Sequence, residues 1–359
     1  MADKSSFASG RTTRPTKRSA EKSSGPLQEG VVSRVSPSRV EVRLDGSTIH
    51  ASIRALLKKG STRASAHVVA VGDRVRVRAG EQGGAWIEEI LPRRSEIARQ
   101  DPGNPKHKLV QAANCDALAV VVCYGLPKLN LRGLDRMLVL GEAASLSCFI
   151  IRNKSDLAAE PADSGPPGRG DPLEVDDRLG GPVLHHRSLP GHWGDPLAVY
   201  ARLGYPLISV SALTGAGMDE CAGIFRDRVT LIAGASGVGK SSLLNRLVAG
   251  LDLRTSAVSA ATGKGVHTTT RVDWIDLPGG GVILDSPGIR GIVPFGVTRE
   301  RLASLFPEFR ALSRCQFGNC LHRGEPGCQV REAVVDGRID AGRHESYLRI
   351  LEGIQPERP

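Results

Sequence analysis

Gly234-Ala235-Ser236-Gly237-Val238-Gly239-Lys240-Ser241 follows the apolar run VTLIA (229–233) and precedes the helical pattern SSLLNRLV (241–248). This is the spacing G-x-x-x-x-G-K-[ST] in the strand-then-helix context that makes it a P-loop. The glycines let successive backbone N–H groups turn toward a phosphate. The following helix N-terminus adds a favourable dipole, and Lys240 places a cation near the β- and γ-oxygens. Ser241 is expected to supply a hydroxyl to Mg²⁺, and Ser242 completes the phosphate-facing stretch.

Working outward, apolar runs separated by amphipathic stretches between about Asn114 and Ile292 predict a mostly parallel sheet covered on both faces. The runs are ALAVVVCY, LSCFIIRN, YPLISVSA, RVTLIAGAS and GVILDSPG. Asn153-Lys154-Ser155-Asp156 follows one of them and matches NKxD, at the carboxyl end of a strand where α/β ligands bind. Asp156 can accept hydrogen bonds from guanine N1–H and N2–H₂, a donor pattern adenine lacks, so the base read is guanine. Ser211-Ala212 matches the SA pair that backs the base. Asp285-Ser286-Pro287-Gly288 reads as DxxG, with Asp285 directed to Mg²⁺ and the Gly288 N–H to the γ-phosphate. Between P-loop and DxxG lies Gly263-Lys264-Gly265-Val266-His267-Thr268-Thr269-Thr270, suited to a switch whose Thr joins the magnesium shell. Thr269 is the candidate, with its two neighbours open alternatives. The order NKxD, SA, P-loop, Thr switch, DxxG is a circular permutation of the Ras-like order. It is tolerable because packing fixes where strands lie while only the connections change.

Downstream, Cys315-x4-Cys320-x-His322-x5-Cys328 supplies three thiolates and one imidazole, the ligand set of a closed tetrahedral zinc site. No position is left open for a substrate, which excludes catalytic zinc. The segment REAVVDGRIDAGRHESYLRILEGI is helical in pattern. Cys115, Cys123, Cys148 and Cys221 sit singly in apolar segments and read as core thiols.

The 359 residues suffice for two or three domains. Residues 1–28 read as a disordered basic tail. Residues 29–98 alternate apolar and charged positions, predicting a small antiparallel barrel, OB-type with an arginine-bearing face (Arg39, Arg43, Arg74, Arg76, Arg78) or alternatively SH3-like. Residues 105–295 form the permuted α/β P-loop domain, with 160–196 a flexible Pro/Gly-rich loop. Its His185, His186 and His192 lack ligand spacing. Residues 296–359 form a helical zinc-binding domain. The formal net charge of +10 favours polyanionic partners, nucleic acid first. No apolar stretch reaches the ~20 residues of a membrane span, and no secretory h-region is present. A cytoplasmic protein with no membrane partner is expected.

Together the basic barrel, GASGVGKSS, NKSD, VHTTT, DSPG and the Cys-x4-Cys-x-His-x5-Cys quartet resemble the ribosome small subunit-dependent GTPase A family (RsgA, or YjeQ), over about residues 29–350. The resemblance implies a GTP hydrolase that binds GTP and GDP with Mg²⁺, holds one structural Zn²⁺, contacts the RNA of the small ribosomal subunit, and serves its late maturation. A monomer is expected. The residue after DSPG is Ile289, where a Ras-like GTPase carries a water-orienting Gln. His267 is therefore the candidate to position the attacking water, the alternative being a solvated switch residue. The competing functional reading is an RNA-binding assembly module that uses GTP mainly as a conformational switch.

Overall fold

The computed structural model describes residues 25–36, 39–54, 69–79, 84–101, 104–158, 175–176, 181–182, 195–251, 253, 272–286 and 294–354. The tail up to residue 24, most of the 160–196 loop with its three histidines, and the switch stretch 263–270 lie outside the described residues.

Five strands, β1 (Leu27–Val35), β2 (Val40–Leu44), β3 (Ser47–Ile53), β4 (Arg74–Ala79) and β5 (Ala85–Ile90), close a barrel in the order β1-β2-β3-β5-β4. β3 and β5 are parallel and β1 closes antiparallel on β4, the OB arrangement. β4 shows why the sequence adopts it: in RVRVRA the valines Val75 and Val77 are buried with Val32, Val42 and Ile87, while the arginines alternate outward. Of the five arginines of the expected basic face, Arg39 stays exposed and the other four are engaged. Arg74 and Arg76 both donate to Glu29 at 3.2 Å, Arg76 also to Glu89 at 2.9 Å, and Arg78 to the Gly25 carbonyl at 2.8 Å. Arg43 pairs with Asp276 of the next domain and lies over the Trp274 ring. Glutamates on neighbouring strands thus give this face mixed sign around Arg74, Arg76 and Arg78.

A hairpin of β6 (Glu96–Asp101) and β7 (Asn104–Ala113) spans the expected limits at 98 and 105. It leads into the six-stranded sheet formed by β8 (Ala117–Cys123), β9 (Ser147–Asn153), β12 (Leu207–Ser209), β13 (Val229–Gly234), β14 (Asp273–Asp276) and β15 (Val282–Asp285). The two-residue strands β10 (Val175–Asp176) and β11 (Gly181–Pro182) pair with each other. The sheet order is β12-β9-β8-β13-β15-β14, parallel except for the edge strand β14.

All seven residues of β8 are buried, as a continuous apolar run covered on both faces requires. Leu118, Val120 and Val122 face helix α1 (Leu131–Ala143) through Leu134 and Leu138. Ala117, Ala119 and Val121 face α3 (Met218–Phe225) and α4 (Lys240–Leu247) through Phe225, Leu243 and Leu244, whereas α2 (Ala198–Arg202) packs Tyr200 into the first layer. The four cysteines read as core thiols are buried, and burial pushes the Cys115, Cys148 and Cys221 thiols up to about 12. The P-loop strand β13 stands inside the sheet although β8, β9 and β12 precede it in the chain. That is the permutation written as topology.

The C-terminal part packs α5 (Arg299–Leu302), α6 (Pro307–Arg310), α7 (Gln329–Val335) and α8 (Ala341–Gly353) around Phe306, Phe309 and Tyr347. The helical pattern read over 331–354 divides at Gly337, whose φ of 73° ends a helix. Val139 of α1 joins this core, so the domain is seated on the sheet's covering helix.

Candidate functional site: a P-loop beside two reading loops, and a Cys3His cluster

Three loops meet at the carboxyl ends of β9, β12 and β13. Gly234, Gly237 and Gly239 take φ of 150°, 81° and 91°. A Cβ on Gly234 would sit 2.4 Å from the Val121 carbonyl oxygen, and one on Gly239 would sit 2.3 Å from Asn153 Nδ2. Neighbouring backbone and side chain therefore forbid anything larger there. Gly239 precedes α4 without a side-chain cap, which leaves the first-turn N–H groups of Lys240, Ser241 and Ser242 directed at the loop mouth. Lys240 Nζ donates to the carbonyls of Gly234 at 2.8 Å and Ala235 at 3.2 Å, so the ammonium stands over the loop. Ala235 and Ser236 are exposed and Val238 is buried as the loop's anchor.

Asn153 is 2 % exposed and joins all three loops. Its amide donates to Val238 O at 3.0 Å and Gly239 O at 3.4 Å, and its Oδ1 accepts from Ala212 N at 3.1 Å. The motif reading assigned Asn153 to the nucleotide; in this geometry it is the brace that sets the spacing between phosphate loop and base loop. Lys154 turns the chain in the left-handed region (φ 61°), and its Nζ donates to the Leu126 carbonyl. Ser155 follows, and Asp156 is brought to the surface. The Asp156 carboxylate accepts from the Ser211 hydroxyl, which in turn accepts from Thr214 N at 3.1 Å. The SA pair thereby acquires a defined role: Ser211 orients the carboxylate that the motif assigns to the base.

Asp285 ends β15, hydrogen-bonded in register with β13 beside the P-loop, and Ser286 is buried next to it. Gly288, Ile289, His267 and Thr269 lie outside the described residues.

Cys315, Cys320, His322 and Cys328 converge with all four ligand atoms within 4.8 Å of one another. The three Sγ atoms lie 3.6, 3.5 and 3.5 Å from His322 Nδ1. With bonds of about 2.3 Å to sulfur and 2.0–2.1 Å to nitrogen, the N···S edge of a zinc tetrahedron is about 3.6 Å, so the donor set fits. Hydrogen bonds brace the loop as well. Glu325 accepts from the backbone N–H groups of Leu321, Arg323 and Gly324 at 2.9, 2.7 and 2.9 Å. Partial burial opposes its ionisation, but those donors prevail and hold the carboxyl down to about 2. His344 Nε2 meets the His322 carbonyl at 2.9 Å, and Tyr347 donates to Leu321 O at 3.0 Å.

One cluster no motif signalled ties this domain to the sheet. Arg343, 3 % exposed, pairs with Asp135 of α1 and donates to both oxygens of Glu308 at 2.8 and 3.1 Å. Asp135 also accepts from Tyr200 at 2.7 Å. Burial alone would lower the Arg343 guanidinium, but Asp135 and Glu308 outweigh it and hold it well above its ordinary value.

A mostly parallel sheet whose P-loop strand β13 pairs with β8 on one side and with β15, ending in Asp285, on the other, with β9 leading into NKSD one strand beyond β8 and the reading loops first in the chain, defines a circularly permuted P-loop GTPase. The family model for RsgA GTPase matches residues 90–166 and 192–293. A relative from Gemmatimonas aurantiaca, a small ribosomal subunit biogenesis GTPase RsgA, is 40% identical over 310 residues, covering 86% of this chain and 91% of the relative. This chain belongs to the RsgA GTPase family. The crystal structure of YjeQ from Thermotoga maritima is 26% identical with a TM-score of 0.65, covering 93% of this chain and 100% of that one. The structure of YloQ, a circularly permuted GTPase, shares the fold at 23% identity and a TM-score of 0.61, over 93% and 98% of the two chains.

Proposed function

We propose that this chain hydrolyses GTP to GDP and phosphate while bound to the small ribosomal subunit, as a cytoplasmic, monomeric factor in late subunit maturation. The observation that carries the catalytic reading is the brace at Asn153, which holds a phosphate loop and a guanine-reading carboxylate in one constellation. The subunit enters through the relative's name, through the family, and through the net charge of +10. Among the described residues no helix is long and apolar enough to cross a membrane.

In this reading Gly234, Ala235, Ser236, Gly237, Val238 and Gly239 wrap the phosphates. Lys240 and the N–H groups of Ser241 and Ser242 meet the β- and γ-oxygens. Asp156, oriented by Ser211, accepts from the guanine edge, with the Lys154 stem and Ala212 beside the base. Ser241, Asp285 and Thr269 would hold Mg²⁺, which when bound neutralises charge developing on the phosphate oxygens. The Gly288 N–H contacts the γ-phosphate, and His267 positions the water that Ile289 cannot. The Cys3His cluster holds structural zinc, supported by its N···S distances. Phosphate release from GTP, measured alone and with purified small subunits for wild type and His267→Ala, tests the proposal. Subunits should accelerate wild type strongly and the variant weakly. Turnover indifferent to subunits would refute it.

A further inference from the structure

The charge that composition directs toward nucleic acid has to be displayed somewhere. On the barrel most strand arginines are paired with glutamates. The Cys3His loop is different. Arg314, Arg323 and Arg331 are exposed around it, and among the described residues none pairs with a carboxylate. Arg331 reaches only the Gly324 carbonyl, at 3.2 Å. Glu325, the acid within the loop, is spent inward on backbone N–H groups. Elsewhere in this domain Arg310, Arg338, Arg343 and Arg349 have acidic partners, and Arg301 donates to the Ala143 carbonyl at 3.0 Å.

Between the first two ligands, Phe317 is 45 % exposed. Its carbonyl accepts from Cys320 N at 3.2 Å, closing a tight turn, and Gln316 N donates to Gly327 O at 3.2 Å, tying that turn to the opposite side of the loop. The ring is thus carried on a backbone stapled by cross-loop hydrogen bonds and by the ligand cluster, so little freedom is lost when something stacks on it. An exposed aromatic ring on a loop whose exposed guanidinium groups have no carboxylate partner can take an unpaired base on its face and the flanking phosphates on those cations.

We infer that Phe317 is a stacking platform for an unpaired RNA base, with Arg314, Arg323 and Arg331 on the adjoining phosphates. The inference rests on the reading that the chain acts on the small ribosomal subunit, and it names the chemistry of the contact. The test uses full-length, zinc-loaded protein with a non-hydrolysable GTP analogue, titrated at fixed salt against purified small subunits and against their protein-free RNA. Phe317→Ala and Phe317→Leu should each lose roughly tenfold in affinity for both, while Phe317→Tyr keeps wild-type affinity. Arg323→Gln should lower the slope of log affinity against log salt by about 1. Zinc content and GDP affinity should be unchanged throughout. Wild-type affinity in Phe317→Ala or Phe317→Leu overturns the inference. Weakened binding to subunits with unchanged binding to free RNA also overturns it, because the occupant would then be protein. A wild type that binds no subunits at all fails the functional reading beneath it.

Discussion

Replacing Arg343 with Met tests whether the C-terminal domain is locked to the GTPase sheet by one buried cation. Arg343 is 3 % exposed and Asp135 1 %, so the variant strands two carboxylates, Asp135 with the Tyr200 hydroxyl donating to it and Glu308 without its guanidinium. Breaking a buried pair by removing one partner costs about 3–5 kcal/mol, because the remaining charge is left without compensation. At roughly 2–4 °C per kcal/mol for a unit of this size, the midpoint of thermal unfolding should fall by on the order of 10 °C. The pH dependence supplies a second readout. In wild type the Arg343 pKa is raised, so its stabilising contribution is complete below the unfolded value and is lost only as pH rises through the still higher folded value. Between pH 5 and 8 that contribution is flat. In Arg343→Met Asp135 loses the charge that favoured its ionisation. Burial already pushes Asp135 up, against the pull of Arg343, and without the cation its folded pKa rises further. A raised carboxyl contributes stability below its unfolded pKa that disappears as pH rises through the folded value. The gap between variant and wild type should therefore be widest near pH 8 and narrow toward pH 5, and Asp135→Asn added to Arg343→Met should recover part of the loss. Calorimetric scans at the two pH values check this. A variant within 1 kcal/mol of wild type, or a gap that widens in acid, refutes the reasoning.

Asn153→Ala removes the brace between three loops and strands the Ala212 N–H, so nucleotide affinity should fall by the equivalent of about 1–3 kcal/mol, read by equilibrium titration with GDP. Gly234→Ala should abolish nucleotide binding or folding outright, because its Cβ meets backbone 2.4 Å away, with circular dichroism separating the two outcomes. Stripping metal with a chelator should release one zinc per chain and expose the C-terminal core to protease at α7 and α8, leaving GDP binding intact.

Motifs that are contiguous in the chain could be read before any coordinates, because a P-loop, NKSD or Cys-x4-Cys-x-His-x5-Cys carries its geometry within a few residues. The barrel was legible for a similar reason: β4 alternates Val and Arg with period two, and the closed strand order then distinguishes OB from SH3-like. What escaped is built from residues far apart. Asp135, Tyr200, Glu308 and Arg343 sit on four separate elements, and none is unusual in its local window. Asn153 was recognised as a type, but its bonds to Val238 and Ala212 exist only once the permuted sheet sets β9 near β13. Arg74, Arg76 and Arg78 were misread as part of an open face for the converse reason. Glu29, Glu88 and Glu89 face them only after strands register, and a count of charges cannot show pairing.

The central claim is that the loop after β9, oriented by Ser211, reads guanine for a P-loop that follows it in the chain. Asp156→Asn tests it most directly, since an amide can donate to the C2 carbonyl of xanthine where the carboxylate accepts from the C2 amine of guanine. Titrating wild type and variant with GDP and xanthosine diphosphate should show the preference exchanged, from GDP to the xanthine nucleotide. Undiminished GDP binding in the variant would contradict the account.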